Sequence, residues 1–584
     1  MAGKPLAVMA ITFLFLNFLM FLPGFLFSGE GGAWLPAFQP SEHLANLGPI
    51  LSLLLRRDTL DPWRISADLV LIFSFFLLPG RMQFLQKRYN FLTILFVFLL
   101  VYEIYVAVVF YFMGKQALLA EDWQYLSSVW NFLRSLEFFQ LLIYLLTFLL
   151  AFTALLLCVR AVFHRLSRQR WGFPWSVRTS QSLLITFVLY LLVCFYWYGI
   201  ENRRLVVQMS SLKILANLQR SWSYLNHRDQ INDLHLPSYL PHPPLVEAPN
   251  IYLFLIESYG QILVEHPHLQ AEMLPFLAET EKILKAKNFH MRTALSQSPV
   301  FGGRSWLSQA SIFSANMVRQ QWQFESLVKR GLQQQNLARF LQDAGYHTVG
   351  LYPGNRRKVD AVGSQNVYGK DIVFSFDELD YTGPAYNWGQ VPDQYSLNFV
   401  WENYLQQLNG PYFFSFLTIS SHAPWDPMPH FIANWRDLNQ DHRHGLSPKA
   451  FLFRQIIDRI AMSWLSASED HQAYDKFQQA IIYEWQVFAD FLSKHAQDND
   501  VFILVGDHQP YIAQWSNSKE STLIHVLSKN ERVLDAFTTN LMKPGLIPKQ
   551  ETVMQHADIH ELIIDGILSL NGQQQNFSRR PIKP

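Results

Sequence analysis

Only two cysteines occur in 584 residues, Cys158 and Cys194, and both lie inside apolar runs. The polar remainder of the chain has none, which excludes a disulfide scaffold, a zinc–thiolate centre and a cysteine nucleophile there. Charge is scarce too, at 16% Asp, Glu, Lys and Arg, where a soluble protein carries about 25%. Neither sign prevails: 47 Lys+Arg against 46 Asp+Glu leave a formal charge of +1. With no long basic tail and no nucleic-acid motif, nothing points to nucleic acid as a partner. Internal repeats and low-complexity tracts are also missing. With 50% hydrophobic residues and 15% aromatics, the chain is far too apolar to be disordered.

The apolar excess is concentrated in the first two hundred residues. Five stretches stand out, about 5–27, 65–80, 91–113, 137–161 and 181–199. Most reach the ~20 residues that cross ~30 Å of hydrocarbon. The second is short and contains Asp68. The first is too long and aromatic for a cleaved leader, lacks a small-residue cleavage site, and reads as an anchor. Arg81, Lys87 and Arg88 follow the second stretch, and Arg160, Arg165, Arg168, Arg170 and Arg178 follow the fourth, with no acid in either loop. Placing these loops in the cytoplasm puts the N-terminus inside and everything beyond residue 200 outside. That expectation removes cytosolic nucleotide as a cofactor. Within the stretches the acids are Asp68, Glu103 and, at an edge, Glu137, thin material for a coupled ion pathway.

Three domains are expected: a transmembrane domain over 1–200, a connector over 201–248, and a polar domain over 249–584. In the connector, Leu205, Met209, Leu212, Leu215, Leu218, Trp222 and Leu225 form a helical stripe. It suits either a helix on the outer membrane surface or a connector packed on the polar domain. Pro237, Pro241, Pro243, Pro244 and Pro249 then break the chain.

In the polar domain, Ile251–Ile256, His347–Tyr352, Tyr412–Ile419 and Val501–Val505 are short apolar runs of the buried-strand kind. Helical patterning separates them, over Asn336–Ala344, Tyr395–Leu408 and Tyr474–His495. The alternation predicts an α/β domain with a mostly parallel sheet covered on both faces. Ligands in such folds bind beyond the carboxyl ends of the strands. There the sequence places Glu257, then Ser420-Ser421-His422, then Gly506-Asp507-His508.

Glu257, Asp507 and His508 make a hard nitrogen–oxygen set suited to Mn²⁺, Mg²⁺ or Zn²⁺. Three protein ligands leave positions open for a nucleophile and a substrate oxygen. Gly302-Gly303-Arg304-Ser305 precedes a helical pattern through Trp306–Phe313. A helix N-terminus there would attract an anion, with Arg304 adding a full charge. Ser305 then has two readings, a metal-activated nucleophile for phosphorus or a simple capping serine.

The ordered segments LFLIESYG (253–260), GGRSWLS (302–308), TISSHAPW (418–425) and VGDHQP (505–510) resemble the alkaline phosphatase/sulfatase superfamily. More narrowly, they resemble its lipoteichoic acid synthase branch, with phosphoglycerol and phosphoethanolamine transferase relatives. Five spans followed by one outward catalytic domain fit that branch. The resemblance implies a divalent metal on Glu257, Asp507 and His508, with Ser305 in the nucleophile's place and touching the metal. His422 takes the position of a histidine near the phosphate or leaving group. Arg356 or Arg357 falls where relatives bind phosphate, and His525 where a second metal would be held. Without the resemblance, His525 reads as a core histidine. The histidines of DHRH (441–444) and HADIH (556–560) read as surface or cap residues.

What the resemblance implies is a bacterial cytoplasmic-membrane enzyme, multi-pass, with its catalytic domain on the outer face. It would move a phospholipid-derived head group to a glycan or lipid acceptor through a phosphoserine ester. A phosphatase or phosphodiesterase sending that ester to water uses the same residues, and an inactive scaffold for envelope assembly is the non-enzymatic alternative. Formylglycine-type sulfatases need proline and arginine two and four residues beyond the nucleophile. Leu307 and Gln309 stand there, which speaks against that chemistry. The cysteine-free outer domain tilts the reading away from the lipid A phosphoethanolamine transferases, which usually carry disulfides there.

Overall fold

A computed structural model describes residues 3–26, 61–77, 89–113, 116–123, 138–168, 177–198, 205–227, 234–239, 244–355, 366–384, 386, 391–423, 425, 427–439, 471–515, 520–548 and 551–573. These divide into two compact units, one up to Asn226 and one from His227.

The first unit is helical. Its helices are α1 (Gly3–Leu26), α2 (Ala67–Leu77), α3 (Tyr89–Met113), the single turn α4 (Leu119–Asp122), α5 (Phe138–Arg168), α6 (Val177–Tyr198) and α7 (Ser210–His227). A two-residue parallel pair, β1 (Ile65–Ser66) with β2 (Val207–Gln208), joins the loops ahead of α2 and α7. Among the described residues, three stretches are long and apolar enough to cross a membrane: Ala7–Leu26, Tyr89–Phe110 and Leu145–Arg168. That is compatible with a membrane anchor and short of the expected five-span bundle.

The connector helix α7 inverts the usual amphipathic arrangement. Its buried stripe is polar, formed by Ser210, Lys213, Asn217 and Ser221, while Leu215, Leu218, Trp222 and Leu225 are exposed. Lys213 Nζ pairs with Glu103 Oε1 of α3 at 3.0 Å. Ser210 Oγ donates to the same oxygen at 2.7 Å, and Asp68 Oδ2 accepts the Ser210 N–H at 2.7 Å. Asn217 accepts from Leu119 N at 3.0 Å and donates to the Ala117 carbonyl at 2.9 Å. The acids of the apolar stretches thus cap and pair with a helix terminus, whose free N–H groups need acceptors.

The second unit is built on a nine-stranded sheet. Its elements in chain order are β3 (Ile251–Ile256), α8 (Ile262–Glu265), α9 (Pro267–Lys285), β4 (His290–Gln297), α10 (Ser305–Ser314), α11 (Gln321–Lys329), α12 (Leu337–Asp343), β5 (His347–Tyr352), β6 (Ile372–Ser375), α13 (Asp393–Asn403), β7 (Tyr412–Leu417), α14 (His471–His495), β8 (Val501–Gly506), β9 (Ser521–Ser528), α15 (Glu531–Ala536), β10 (Lys543–Pro544), β11 (Thr552–Gln555) and α16 (Asp558–Leu570). The spatial order is β10-β4-β9-β8-β3-β7-β5-β6, with β11 paired to β4.

The sheet is mixed, which corrects the expectation of a mostly parallel one. Strands β8, β3, β7, β5 and β6 run parallel, but β9 is antiparallel to both β8 and β4. Among the described residues between β8 and β9 no α-helix carries the chain back across the sheet, and the strand returns antiparallel. The parallel part was legible because its strands are unbroken apolar runs. Strands β4 and β9 are wholly or largely buried yet interleave Ser, Thr and His, which disguised them.

The central strands present alternate faces to two helical layers. Tyr252 and Phe254 of β3 pack with Phe414 and Phe416 of β7 and with Phe502 of β8, under Leu269, Met273 and Leu277 of α9 and Phe488 and Phe491 of α14. The opposite face meets α10, whose Phe313 packs against Phe413, and α10 in turn packs on α16.

Candidate metal and phosphoryl-transfer site

The adjacent strands β3 and β8 run parallel and in register, Ile256 opposite Gly506. Residues 257 and 507 therefore leave the sheet side by side. Gly506 lies against the chain after β3, and a Cβ there would sit 2.1 Å from the Tyr259 carbonyl oxygen. Glycine is required because two loops meet backbone to backbone.

Asp507 and His508 follow. The Oδ1 of Asp507 accepts N–H bonds from Ser258 at 2.8 Å and from His508 at 2.7 Å. Its Oδ2 is buried, makes no hydrogen bond, and lies 3.4 Å from His508 Nε2. His508 Nδ1 donates to the Gln509 carbonyl at 2.8 Å, which fixes the tautomer and leaves the Nε2 lone pair pointing into the site. Glu257 Oε1 is 3.6 Å from that nitrogen and accepts the Ser258 hydroxyl at 2.8 Å.

Ser305 completes the group. Its Oγ lies 3.1 Å from Glu257 Oε2 and 3.3 Å from His508 Nε2. The chain delivers it through three consecutive residues with positive φ, Gly302 (70°), Gly303 (146°) and Arg304 (67°). Two are glycines, as such a run requires, and Arg304 occupies the left-handed position just before the helix. The Gly302 N–H donates to the Gln509 carbonyl at 3.0 Å, tying the serine loop to the Asp507–His508 loop.

The electrostatics are those of a site waiting for a cation. Burial together with the Glu257 charge raises the Asp507 carboxyl to about 7. Burial opposes charge on Glu257 as well, but the His508 and His422 imidazoles and a hydrogen bond from Ser258 hold it below its ordinary value. His508 is raised: burial works against its charged form, and Asp507 and Glu257 overcome that. Two carboxylates and an imidazole crowd together, with donor atoms within 4.8 Å of one another. The unbonded Asp507 Oδ2 and the oriented His508 Nε2 are what a divalent ion needs, so the donor set fits the implied metal.

The other expected residues divide. His422 sits half-buried on the turn after β7, its Nδ1 hydrogen-bonded to the Ala423 carbonyl, and its field reaches Glu257. The charge of Arg304 is felt at His508. His525 is not part of the cluster. It is fully buried on β9, with Nε2 3.0 Å from the Tyr259 hydroxyl and Nδ1 2.5 Å from Thr293 Oγ1, and burial lowers it to about 3. Arg356, Arg357 and the 441–444 histidines lie outside the described residues. The surface or cap reading of 556–560 is corrected, since His556 and His560 are fully buried. His556 bridges Ser296 Oγ at 3.0 Å and the Gly506 carbonyl at 2.9 Å, bracing the end of β8 from behind.

Sequence reasoning missed the supporting hydroxyls. Thr418 Oγ1 accepts the Glu257 N–H at 2.9 Å, Ser421 Oγ donates to the Glu257 carbonyl at 2.7 Å, and Ser298 Oγ donates to the Asp507 carbonyl at 2.7 Å. Trp425, three residues past His422, stacks on Tyr511 at 5.5 Å and 4°. The signal available was small hydroxyl residues flanking every ligand.

With this geometry in place, the comparisons decide the family: the sulfatase profile matches residues 249–544. The chain belongs to the sulfatase family. Among solved structures, this sulfatase-family chain is similar to the lipoteichoic acid synthase LtaP of Listeria monocytogenes, at 12% identity over 60% of this chain and 78% of that one, with TM-score 0.38. It is also similar to the integral membrane lipooligosaccharide phosphoethanolamine transferase EptA of Neisseria meningitidis, at 12% identity over 86% and 96%, with TM-score 0.39. A third is the Streptococcus pyogenes phosphoglycerol transferase GacH in complex with sn-glycerol-1-phosphate, at 15% identity over 62% and 87%, with TM-score 0.34. No curated protein matches the chain.

Proposed function

We propose that this sulfatase-family protein is a membrane-anchored, metal-dependent transferase. It moves a phospholipid-derived head group, phosphoglycerol or phosphoethanolamine, to an envelope glycan or lipid on the outer face of a bacterial cytoplasmic membrane. The observation that carries the reading is the convergence of Ser305 Oγ on Glu257 and His508, with Asp507 Oδ2 turned toward the same imidazole. An alcohol in contact with a carboxylate–imidazole cation site is the arrangement of a nucleophile rather than of a cap. The head-group class rests on the resemblance to the phosphoglycerol and phosphoethanolamine transferase branch, and Leu307 and Gln309 beyond Ser305 speak against formylglycine chemistry.

Glu257, Asp507 and His508 would hold the metal, which supplies a lower pKa for the Ser305 hydroxyl and charge stabilisation for a phosphate oxygen. Arg304 and the start of α10 orient the donor phosphate. Ser305 Oγ forms a bond to phosphorus as the phosphorus–oxygen bond to diacylglycerol breaks, and the departing oxygen takes a proton. In the second half an acceptor hydroxyl attacks the phosphoserine ester, gives up its proton and releases Ser305. His422 serves as the acid and base of these transfers. An apolar anchor on the same chain keeps the enzyme at the membrane that contains its donor.

The test is Ser305→Ala in vesicles containing fluorescent phosphatidylglycerol or phosphatidylethanolamine. Diacylglycerol release is expected to fall by about a thousand-fold or more, as for loss of a covalent nucleophile, with metal content unchanged. Retained release removes Ser305 from the reaction. Fluorescent head group appearing only in water, with no acceptor labelled, replaces transfer by hydrolysis.

A further inference from the structure

Two carboxyl groups lie behind the site without a role in the chemistry above. Asp393, the first residue of α13, and Glu484, in the middle of α14, are both fully buried. Asp393 Oδ2 accepts the N–H groups of Ile419 at 2.8 Å and Ser420 at 2.6 Å, and the Asp393 N–H donates to Ser420 Oγ at 2.9 Å. The turn so gripped carries His422, whose N–H closes it by donating to the Ile419 carbonyl at 3.0 Å. The next residue, Ser421, holds the Glu257 carbonyl at 2.7 Å. Glu484 lies against Asp393; Asp393 Oδ1 and both Glu484 oxygens are buried and accept no hydrogen bond from an amide or an alcohol, and Asp393 and Glu257 oppose charge on Glu484. Among the described residues neither acid forms an ion pair.

Two carboxyls in contact and away from water cannot both ionise, so one proton serves both. Asp393 is the better anion because two amides point at it, which leaves the proton on Glu484. Burial raises both groups, Glu484 the more, in keeping with that assignment.

We infer that Asp393 and Glu484 are a proton-sharing positioning pair that clamps the Ile419–His422 turn and so sets the place of His422 relative to Ser305. The role of His422 rests on the proposed transfer reaction; the clamp itself does not. A neutral Glu484 donates to Asp393 through its hydroxyl, and a glutamine amide can do the same. A leucine of similar size cannot, and leaves a buried charge beside the turn.

The experiment uses the intact protein in vesicles and reads two things. Amide hydrogen exchange over residues 418–423 is expected to quicken in Asp393→Ala and Glu484→Leu and to stay at the wild-type rate in Glu484→Gln. Diacylglycerol release is expected to fall about ten- to a hundred-fold in kcat for the first two, the cost of a displaced catalytic group, with KM little changed. Asp393→Ala added to His422→Ala should cost nothing further. Wild-type exchange in Glu484→Leu, or equal exchange in the leucine and glutamine variants, overturns the clamp even if Asp393→Ala fails to fold. Losses that multiply in the double variant overturn its action through His422. Normal exchange shifts with no Ser305-dependent release from any variant leave the clamp standing and count against the transferase reading.

Discussion

Replacing Asp507 with Asn separates the cost of the metal site from its use. The side chain keeps its shape, and its oxygen can still accept from the Ser258 and His508 amides now bonded to Oδ1 at 2.8 and 2.7 Å. What disappears is the charge on Oδ2. Folding raises that carboxyl from 3.8 to about 7, so the folded metal-free protein binds a proton that the unfolded chain releases. The corresponding stability is present below about pH 4 and lost as pH rises to about 7. The full difference is worth about 4 kcal/mol. Asparagine never ionises and escapes this loss. After chelation, the variant should be more stable than wild type by about 2 kcal/mol at pH 5 and by about 4 kcal/mol at pH 8. Added Mn²⁺ should close the gap at pH 5 and narrow it at pH 8. At a hundred times its dissociation constant it stabilises wild type by about 2.7 kcal/mol. The variant should bind more than about a hundred-fold more weakly, since outer partners alone account for 10–100-fold. Tryptophan fluorescence melts with and without metal at both pH values give all four numbers. A chelated variant less stable than wild type at pH 8, or one binding Mn²⁺ with wild-type affinity, refutes the assignment of Oδ2 as a metal ligand.

Two further perturbations probe the scaffold around the ligands. Gly506→Ala drives a methyl into the Tyr259 carbonyl, 2.1 Å from an ideal Cβ, and should cost about 3 kcal/mol in a denaturant melt while weakening metal binding; a neutral result would mean the two loops separate freely. His556→Ala removes the donor to the Gly506 carbonyl and the partner of Ser296. It should cost about 2 kcal/mol without abolishing transfer, because no reacting atom is touched; unchanged stability would show that water replaces the ring.

The four residues that meet were visible in the sequence because each lies within three residues of an apolar run or a glycine pair. Buried parallel strands advertise themselves by composition, and their carboxyl ends by the first polar residue. What stayed hidden was everything polar that is buried because another polar group satisfies it. His525 and Thr293 bond to each other across β9 and β4, and neither strand reads as apolar in isolation. His556 looks like a surface residue until its two partners are known. Asp393 looks like the start of an exposed helix, yet it is fully buried and reaches a turn 26 residues away along the chain. Such pairings depend on tertiary contact and leave no period in the sequence. The Arg356–Arg357 expectation lies outside the described residues.

The inverted helix α7 bears on how the protein can be cut. A fragment beginning at residue 201 would take α7 away from Glu103 and Asp68, leaving Lys213 and the Ser210 amide without their acceptors. It would also carry Leu215, Leu218, Trp222 and Leu225 into water on the outside of the same rod. Such a piece has neither a wet face nor a dry one in its proper place and should self-associate. Starting the fragment beyond His227 leaves that liability with the helical unit, where its partners are.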